Sequence, residues 1–155
     1  MYDASEPERP VAKEFETRAL AALRSGGFRI TGPRLQVIRI LAGSRKALGA
    51  ADIFNQITER GDQIDMVSVY RILTTLSDLH LVHHIGVAGG YIACDLGSHG
   101  QESEHVVCQS CGNVLETAMP EEAVEATKEQ LKKLGFTASS IKLEVEGECR
   151  KCSEN

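Results

Sequence analysis

No apolar run in this 155-residue chain approaches the roughly 18 residues that a membrane-spanning helix needs. The opening of the chain is acidic and contains proline, unlike the basic and then apolar start of a secretory leader. Neither an H-E-x-x-H helix nor a nucleophile motif is present, so the usual designs of a zinc peptidase or a thiol hydrolase are missing. There is no internal repeat and no low-complexity tract. These absences predict a soluble, cytoplasmic protein without a membrane or a small-molecule substrate, in a compartment where its five cysteines stay reduced. Its 42% hydrophobic content can fill one good core or two small ones, and the distribution predicts two.

A net charge of −5 argues against a nucleic-acid partner only if the charge is evenly spread, and it is not. Residues 1–95 carry 11 basic and 11 acidic side chains, whereas residues 96–155 carry 6 and 11. Within the first part, residues 17–51 hold Arg18, Arg24, Arg29, Arg34, Arg39, Arg45 and Lys46 without one Asp or Glu. Such a block makes a locally positive surface that phosphates can neutralise, although a set of solvated helix faces has the same composition.

Helices are predicted over 11–25, stopped by Gly26 and Gly27, and over 31–43, where Thr31 is the candidate cap and Pro33 sits in the first turn. A third is predicted over 49–60. The fourth, over 65–79, repeats Val69, Ile72, Leu73, Leu76 and Leu79 at the spacing of a buried face. Its other face offers Ser68, Tyr70, Arg71, Thr74 and Thr75. Hydroxyls, an aromatic ring and a guanidinium at the start of a helix suit phosphate and base-edge contacts in a major groove. An ordinary amphipathic helix would show the same pattern.

A two-stranded hairpin follows over 81–94, turning at Gly89 and Gly90, and closes what reads as a winged helix. Residues 96–102 read as a hinge. Beyond it, strands are predicted at 105–108 and 113–117, a helix over 121–134 and a half-buried strand over 140–146, where Ile141, Leu143 and Val145 alternate with polar residues. This second part is too small to hold its own fold, which calls for metal and a partner subunit.

Two cysteine pairs, Cys108-x2-Cys111 and Cys149-x2-Cys152, stand 37 residues apart. Each pair lets one tight knuckle present two sulfurs to the same ion, and two knuckles supply the four soft donors of a closed tetrahedral zinc site. The alternative, two disulfides or four unrelated thiols, suits a chain without a leader poorly. A second cluster, His80, His83, His84, Cys94, His99 and His105, falls within 26 residues across the wing, the hinge and the next strand. Imidazoles with one thiolate, and a carboxylate such as Glu116, suit zinc. Ligands drawn from both sides of a hinge would make the metal favour one interdomain arrangement.

Thr31, Gly32, Pro33, Arg34 and Leu35, then Ser68, Val69, Tyr70 and Arg71, then His83 and Tyr91 to Cys94, then His105-x2-Cys108-x2-Cys111-Gly112 with the last cysteine pair, resemble the ferric uptake regulator family of bacterial metal-responsive repressors. The likeness runs over residues 11–152, and within the family it is greatest to the zinc uptake regulators. It implies an α+β chain, with a winged-helix DNA-binding domain over 1–95, a hinge over 96–102 and a small α/β dimerisation and metal-binding domain over 103–155. It implies structural zinc on Cys108, Cys111, Cys149 and Cys152, at least one regulatory zinc per protomer on His83, Cys94 and Glu116 with a further histidine, and DNA contacts from Tyr70 and Arg71. Ser68 and Arg34 are further candidate DNA contacts. His99 and His105 compete for the remaining ligand position, with hinge geometry favouring His99. The function expected is a homodimeric, zinc-responsive repressor of zinc-uptake genes on a pseudo-palindromic DNA operator. An iron- or peroxide-responsive repressor of the same fold is the alternative and a zinc-dependent enzyme a remote one. Iron sensors have a His-His-Asp-His run before the first cysteine pair; here that stretch is Gln101-Glu-Ser-Glu-His105, and Cys94 adds a thiolate, which favours zinc.

Overall fold

Phe15, Ala19 and Leu23 recur every four residues along α1 (Ala12–Ser25), and the stripe they form is fully buried. The computed structural model describes residues 12–97 and 102–154. Thr31 caps α2 (Gly32–Gly43) as expected, its hydroxyl oxygen accepting from the Arg34 amide at 3.4 Å, with Pro33 in the first turn. Then come α3 (Ala50–Glu59) and α4 (Met66–Asp78). Val69, Ile72, Leu73 and Leu76 on α4 pack into one core with Val37, Ile38, Leu41, Ile53 and Ile57.

The hairpin of β1 (Val82–Ile85) and β2 (Gly90–Ala93) is antiparallel and closes the winged helix, with His83 opposite Ile92. A short 3-10 turn, Gly86–Ala88, interrupts the simple glycine turn expected from sequence. Gly90 is needed for its lack of bulk rather than its flexibility. A Cβ there would lie 2.7 Å from the Leu48 carbonyl carbon and 2.8 Å from the Leu48 nitrogen. Leu48 runs this close because it exchanges backbone hydrogen bonds with Tyr91 at 2.9 and 2.8 Å.

The second part is a three-stranded sheet in the order β4-β3-β5. β3 (Glu102–Cys108) pairs antiparallel with β4 (Val114–Ala118) and parallel with β5 (Ile141–Gly147), and α5 (Glu121–Lys133) makes the crossover. A last turn, α6 (Arg150–Ser153), has no apolar periodicity to announce it. No helix among the described residues is long and apolar enough to cross a membrane.

Two expectations meet a different arrangement. β5 is not half-buried: Leu143 and Val145 are 41% and 37% exposed. The second apolar cluster is not internal to the second domain either. It joins Ile85 and Ile92 of the wing to Val107 and Val114 of the sheet, with Ala47 packed against it. The stretch 45–48 reinforces this junction, since Lys46 bridges to Asn113 while Leu48 bridges to Tyr91.

Candidate metal centres and candidate nucleic-acid interface

The four paired cysteines converge. Their sulfurs all lie within 4.8 Å of one another, and none is in a disulfide. The first knuckle is set by backbone bonds. The Gly112 amide donates to the Cys108 carbonyl at 2.8 Å, with Gly112 at a φ of 75°, in the left-handed region that glycine adopts without strain. Amides of Cys111 and Cys149 stabilise the Cys108 thiolate and lower its pKa to about 6, the Cys149 amide standing 3.3 Å from the sulfur. The neighbouring Cys149 sulfur, followed by burial and the other two sulfurs, pushes Cys152 up to about 12. Four thiolates this close repel one another, so the arrangement suits a dication that neutralises them together.

A second set of donors lies between the domains. His83 comes from β1, His105 from β3 and Glu116 from β4, and their donor atoms lie within 4.8 Å of one another. Glu116 Oε1 is 2.8 Å from His83 Nε2 and 3.6 Å from His105 Nε2. Yet these two nitrogens are the buried side-chain polar atoms, among the described residues, that lack an aligned hydrogen-bond partner. Two imidazole nitrogens without an aligned partner, gathered with a carboxylate round one point, are the geometry of ligands that share a common centre. The residues therefore fit a metal ion.

Cys94 sits at the edge of this set, its buried thiol donating to Glu116 Oε1 at 3.6 Å. The Asp95 amide donates to Glu116 Oε2 at 2.6 Å, and Arg18 from α1 donates to the Cys94 carbonyl. Burial opposes charge on both His83 and Glu116, but their neighbours reverse the outcome. Cys94 and Glu116 raise His83 to about 9, while His105, His83 and the Asp95 amide hold Glu116 well below the usual carboxylate range. A cleft of about 570 Å³ lined by His83, Cys94, Glu116 and Lys142 opens the site to solvent.

The other described members of the histidine cluster are not among the gathered donors. His84 follows His83 on β1, so strand alternation sends it to the opposite face, where it meets Tyr91 edge-on with ring centroids 4.9 Å apart. His80 is exposed at the end of the α4–β1 connection and is not part of the gathered donors. His99, which hinge geometry favoured, lies outside the described residues, and the histidine brought into the site is His105.

On α4, Tyr70 is 55% exposed and Arg71 is exposed beside it. Val67, outside the buried stripe of α4, is 58% exposed on the same surface. Ser68 is engaged locally: its amide and hydroxyl both donate to the Asp65 carboxylate, at 2.8 and 2.6 Å, and so cap the helix. Arg34 is also held, donating to the Arg29 carbonyl at 2.5 Å with its guanidinium 5.5 Å from the Phe28 ring centre.

The ferric uptake regulator family model matches residues 25–146. The ferric uptake regulation protein of Legionella pneumophila is 31% identical over 132 residues, which cover 84% of this chain and 95% of that protein. A zinc uptake regulator complexed with zinc and DNA superposes with a TM-score of 0.83 at 26% identity, over 94% of this chain and 97% of the other. Holo XcZur, 25% identical, superposes with a TM-score of 0.78 over 92% of this chain and 99% of its own; apo XcZur, at 26% identity, reaches 0.52 over 92% and 97%. A match that runs unbroken from the end of α1 through the wing and the junction site to β5 makes this chain a member of the ferric uptake regulator family, whose members are metal-sensing, DNA-binding transcription repressors and not enzymes.

Proposed function

We propose that this regulator senses zinc: a dimer carries structural zinc on its four paired cysteines and binds its operator when a second zinc joins His83, Cys94, His105 and Glu116. One observation carries the reading. The second set of donors is split between the wing and the sheet, and a thiol, Cys94, lies against its carboxylate at 3.6 Å. Imidazole, thiolate and carboxylate together suit zinc, whereas iron sites of harder donors do not need the sulfur. The likeness to a zinc uptake regulator bound to zinc and DNA supports it, as does the greater likeness to holo than to apo XcZur.

An ion that bridges the domains favours the arrangement in which its ligands are already together, and by no more than its difference in affinity for the two arrangements. In a dimer, the two α4 helices would enter successive major grooves, reading a pseudo-palindrome through half-sites about one helical turn, or a multiple of it, apart. Arg71 and Tyr70 would contact DNA, with Val67 placed to meet thymine methyl groups. The exposed apolar side chains of Leu115, Leu143 and Val145 support pairing of two sheets across the dimer.

The Legionella pneumophila relative is a ferric uptake regulation protein, which keeps an iron-responsive regulator as the second reading. DNA retardation over a titration of zinc, and separately of ferrous iron, decides between them. The expected result is zinc-driven binding that Cys94→Ser abolishes; iron-driven binding indifferent to Cys94→Ser would replace zinc by iron.

A further inference from the structure

The junction is fastened by a side chain that belongs to neither metal centre. Glu144 lies on β5, where the parallel ladder pairs it with His105. Its carboxylate reaches across to the wing. Oε1 accepts the Gly86 amide at 3.0 Å, and Oε2 accepts the Val87 amide at 3.0 Å. Both oxygens are therefore bound to consecutive backbone donors of the wing turn, three and four residues beyond His83. Hydrogen bonds from neutral amides to a carboxylate are about twice as strong as neutral pairs, and two of them fix orientation as well as distance. Beneath the contact, Ile85 and Ile92 meet Val107 and Val114.

We propose that Glu144 is a positioning residue for metal sensing: it latches the wing to the β3–β5 ladder, and so holds His83 within reach of His105 and Glu116 before the ion binds. The inference rests on the reading of the junction as the sensory site. A protein whose ligands are gathered in only a fraction of molecules binds its ion more weakly by that fraction, so a latch that raises the fraction raises sensitivity. The latch also commits the two amides of the wing turn, which leaves DNA phosphates to other donors while it is closed.

The test uses the full-length dimer with its four-cysteine metal in place, and three proteins: parent, Glu144→Ala and Glu144→Gln. Zinc at the junction is titrated against a competing chelator, DNA retardation is followed in parallel on a fragment that the parent binds, and exchange of the Gly86 and Val87 amides is read by NMR without junction zinc. In Glu144→Ala the zinc midpoint should rise about ten-fold, within the usual range of coupling between sites. The two amides should exchange faster, and saturating zinc should restore parental DNA affinity. Glu144→Gln keeps one acceptor oxygen and should fall between the two, which also serves if the alanine variant folds poorly. A merely structural role would lower the DNA-binding plateau or the four-cysteine metal content without moving the midpoint, and that outcome overturns the proposal. So does an unchanged midpoint with unchanged amide exchange in a parent that responds to zinc. A parent whose DNA binding ignores zinc removes the proposed function and the latch's role together.

Discussion

His83 and His105 stand 4.9 Å apart between ring centroids, their planes tilted by 54°, although one lies on the wing and the other on the three-stranded sheet. Two imidazoles whose buried nitrogens both lack an aligned partner are brought together usefully only by something that both can bind. Replacing His105 by Ala opens one position of that site. The expected loss of affinity for the releasable ion exceeds the roughly 10–100-fold that removal of a supporting outer group costs, with the four-cysteine ion retained. His99→Ala should leave affinity unchanged. Zinc titration against a chelator measures both, and the reverse order of effects would hand the fourth position to His99.

Acid should compete with the ion at this site. His83 titrates at about 9, because Cys94 and Glu116 outweigh its burial, so the metal-free protein holds that proton at neutral pH and the ion must displace it. Glu116, held well below the usual carboxylate range, is already ionised there and adds no competing proton. The sign follows: affinity rises with pH, with about ten-fold per unit contributed by the His83 proton until about pH 9, and His83 adds nothing above it. Proton release on zinc addition in weakly buffered solution at pH 7 is the direct measurement. No release would mean that His83 is not a ligand.

The four-cysteine centre should behave as a fastener. Cys152 is the thiol whose ionisation its neighbours oppose most, up to about 12, so a charge-neutralising ion matters most there. Structural zinc contributes apparent binding free energies on the order of 10–16 kcal/mol, as large as the whole stability of a typical domain. Cys152→Ser should therefore lose the chelator-resistant ion, unfold β3–β5 and dissociate the dimer. Metal analysis and sedimentation of the same sample check this, and an intact dimer lacking the ion would remove the structural role.

The winged helix was legible because its signals are local. Cap residues, glycine stops and the period of Val69, Ile72, Leu73 and Leu76 depend only on their neighbours in sequence. The cysteine pairs were legible by spacing. The junction was only half legible. The sequence offered too many histidines, and only folding separates His83 from His84, by strand alternation, and delivers His105 beside Glu116 through the β3–β4 register. Glu144 carried no signal and Arg18 only that of the basic block, since one acts through backbone amides 57 and 58 residues away and the other through a carbonyl 76 residues away. β5 departs from expectation because alternation implies a covered face, whereas among the described residues Leu143 and Val145 stay 41% and 37% exposed.

Recognition of DNA should be separable from sensing. Arg71 and Tyr70 are exposed on α4 and lie among no metal donors, whereas Ser68 spends both its donors on Asp65. Arg71→Ala should cost roughly 1–3 kcal/mol of operator affinity, the usual value of a specific arginine contact, with zinc occupancy unchanged. Ser68→Ala should instead act through the start of the helix, lowering the melting temperature. Binding isotherms at fixed salt and saturating zinc, beside metal analysis, distinguish the two; equal operator affinity in Arg71→Ala and the parent would remove α4 Arg71 from the interface.

The wing's position depends on an absent side chain. β2 can run against 45–48 only because Gly90 has no Cβ, which would otherwise meet backbone atoms of Ala47 and Leu48 at 2.7–2.9 Å. Backbone cannot rotate away as a flexible side chain can, so Gly90→Ala must push β2 off Leu48 and strain the two bonds between Leu48 and Tyr91. Overpacking of this kind costs about 1–3 kcal/mol. The displacement should not stop at the hairpin, because Ile92 on the same strand packs against Val107 and Val114, and Cys94 follows directly after it. Gly90→Ala is therefore expected to lower both the melting temperature and the affinity of the junction for zinc, whereas Gly43→Ala, where a Cβ meets nothing within 4 Å, should spare the zinc affinity. A Gly90→Ala protein that melts lower yet binds junction zinc like the parent would show that the wing can shift without carrying His83 and Cys94 out of register.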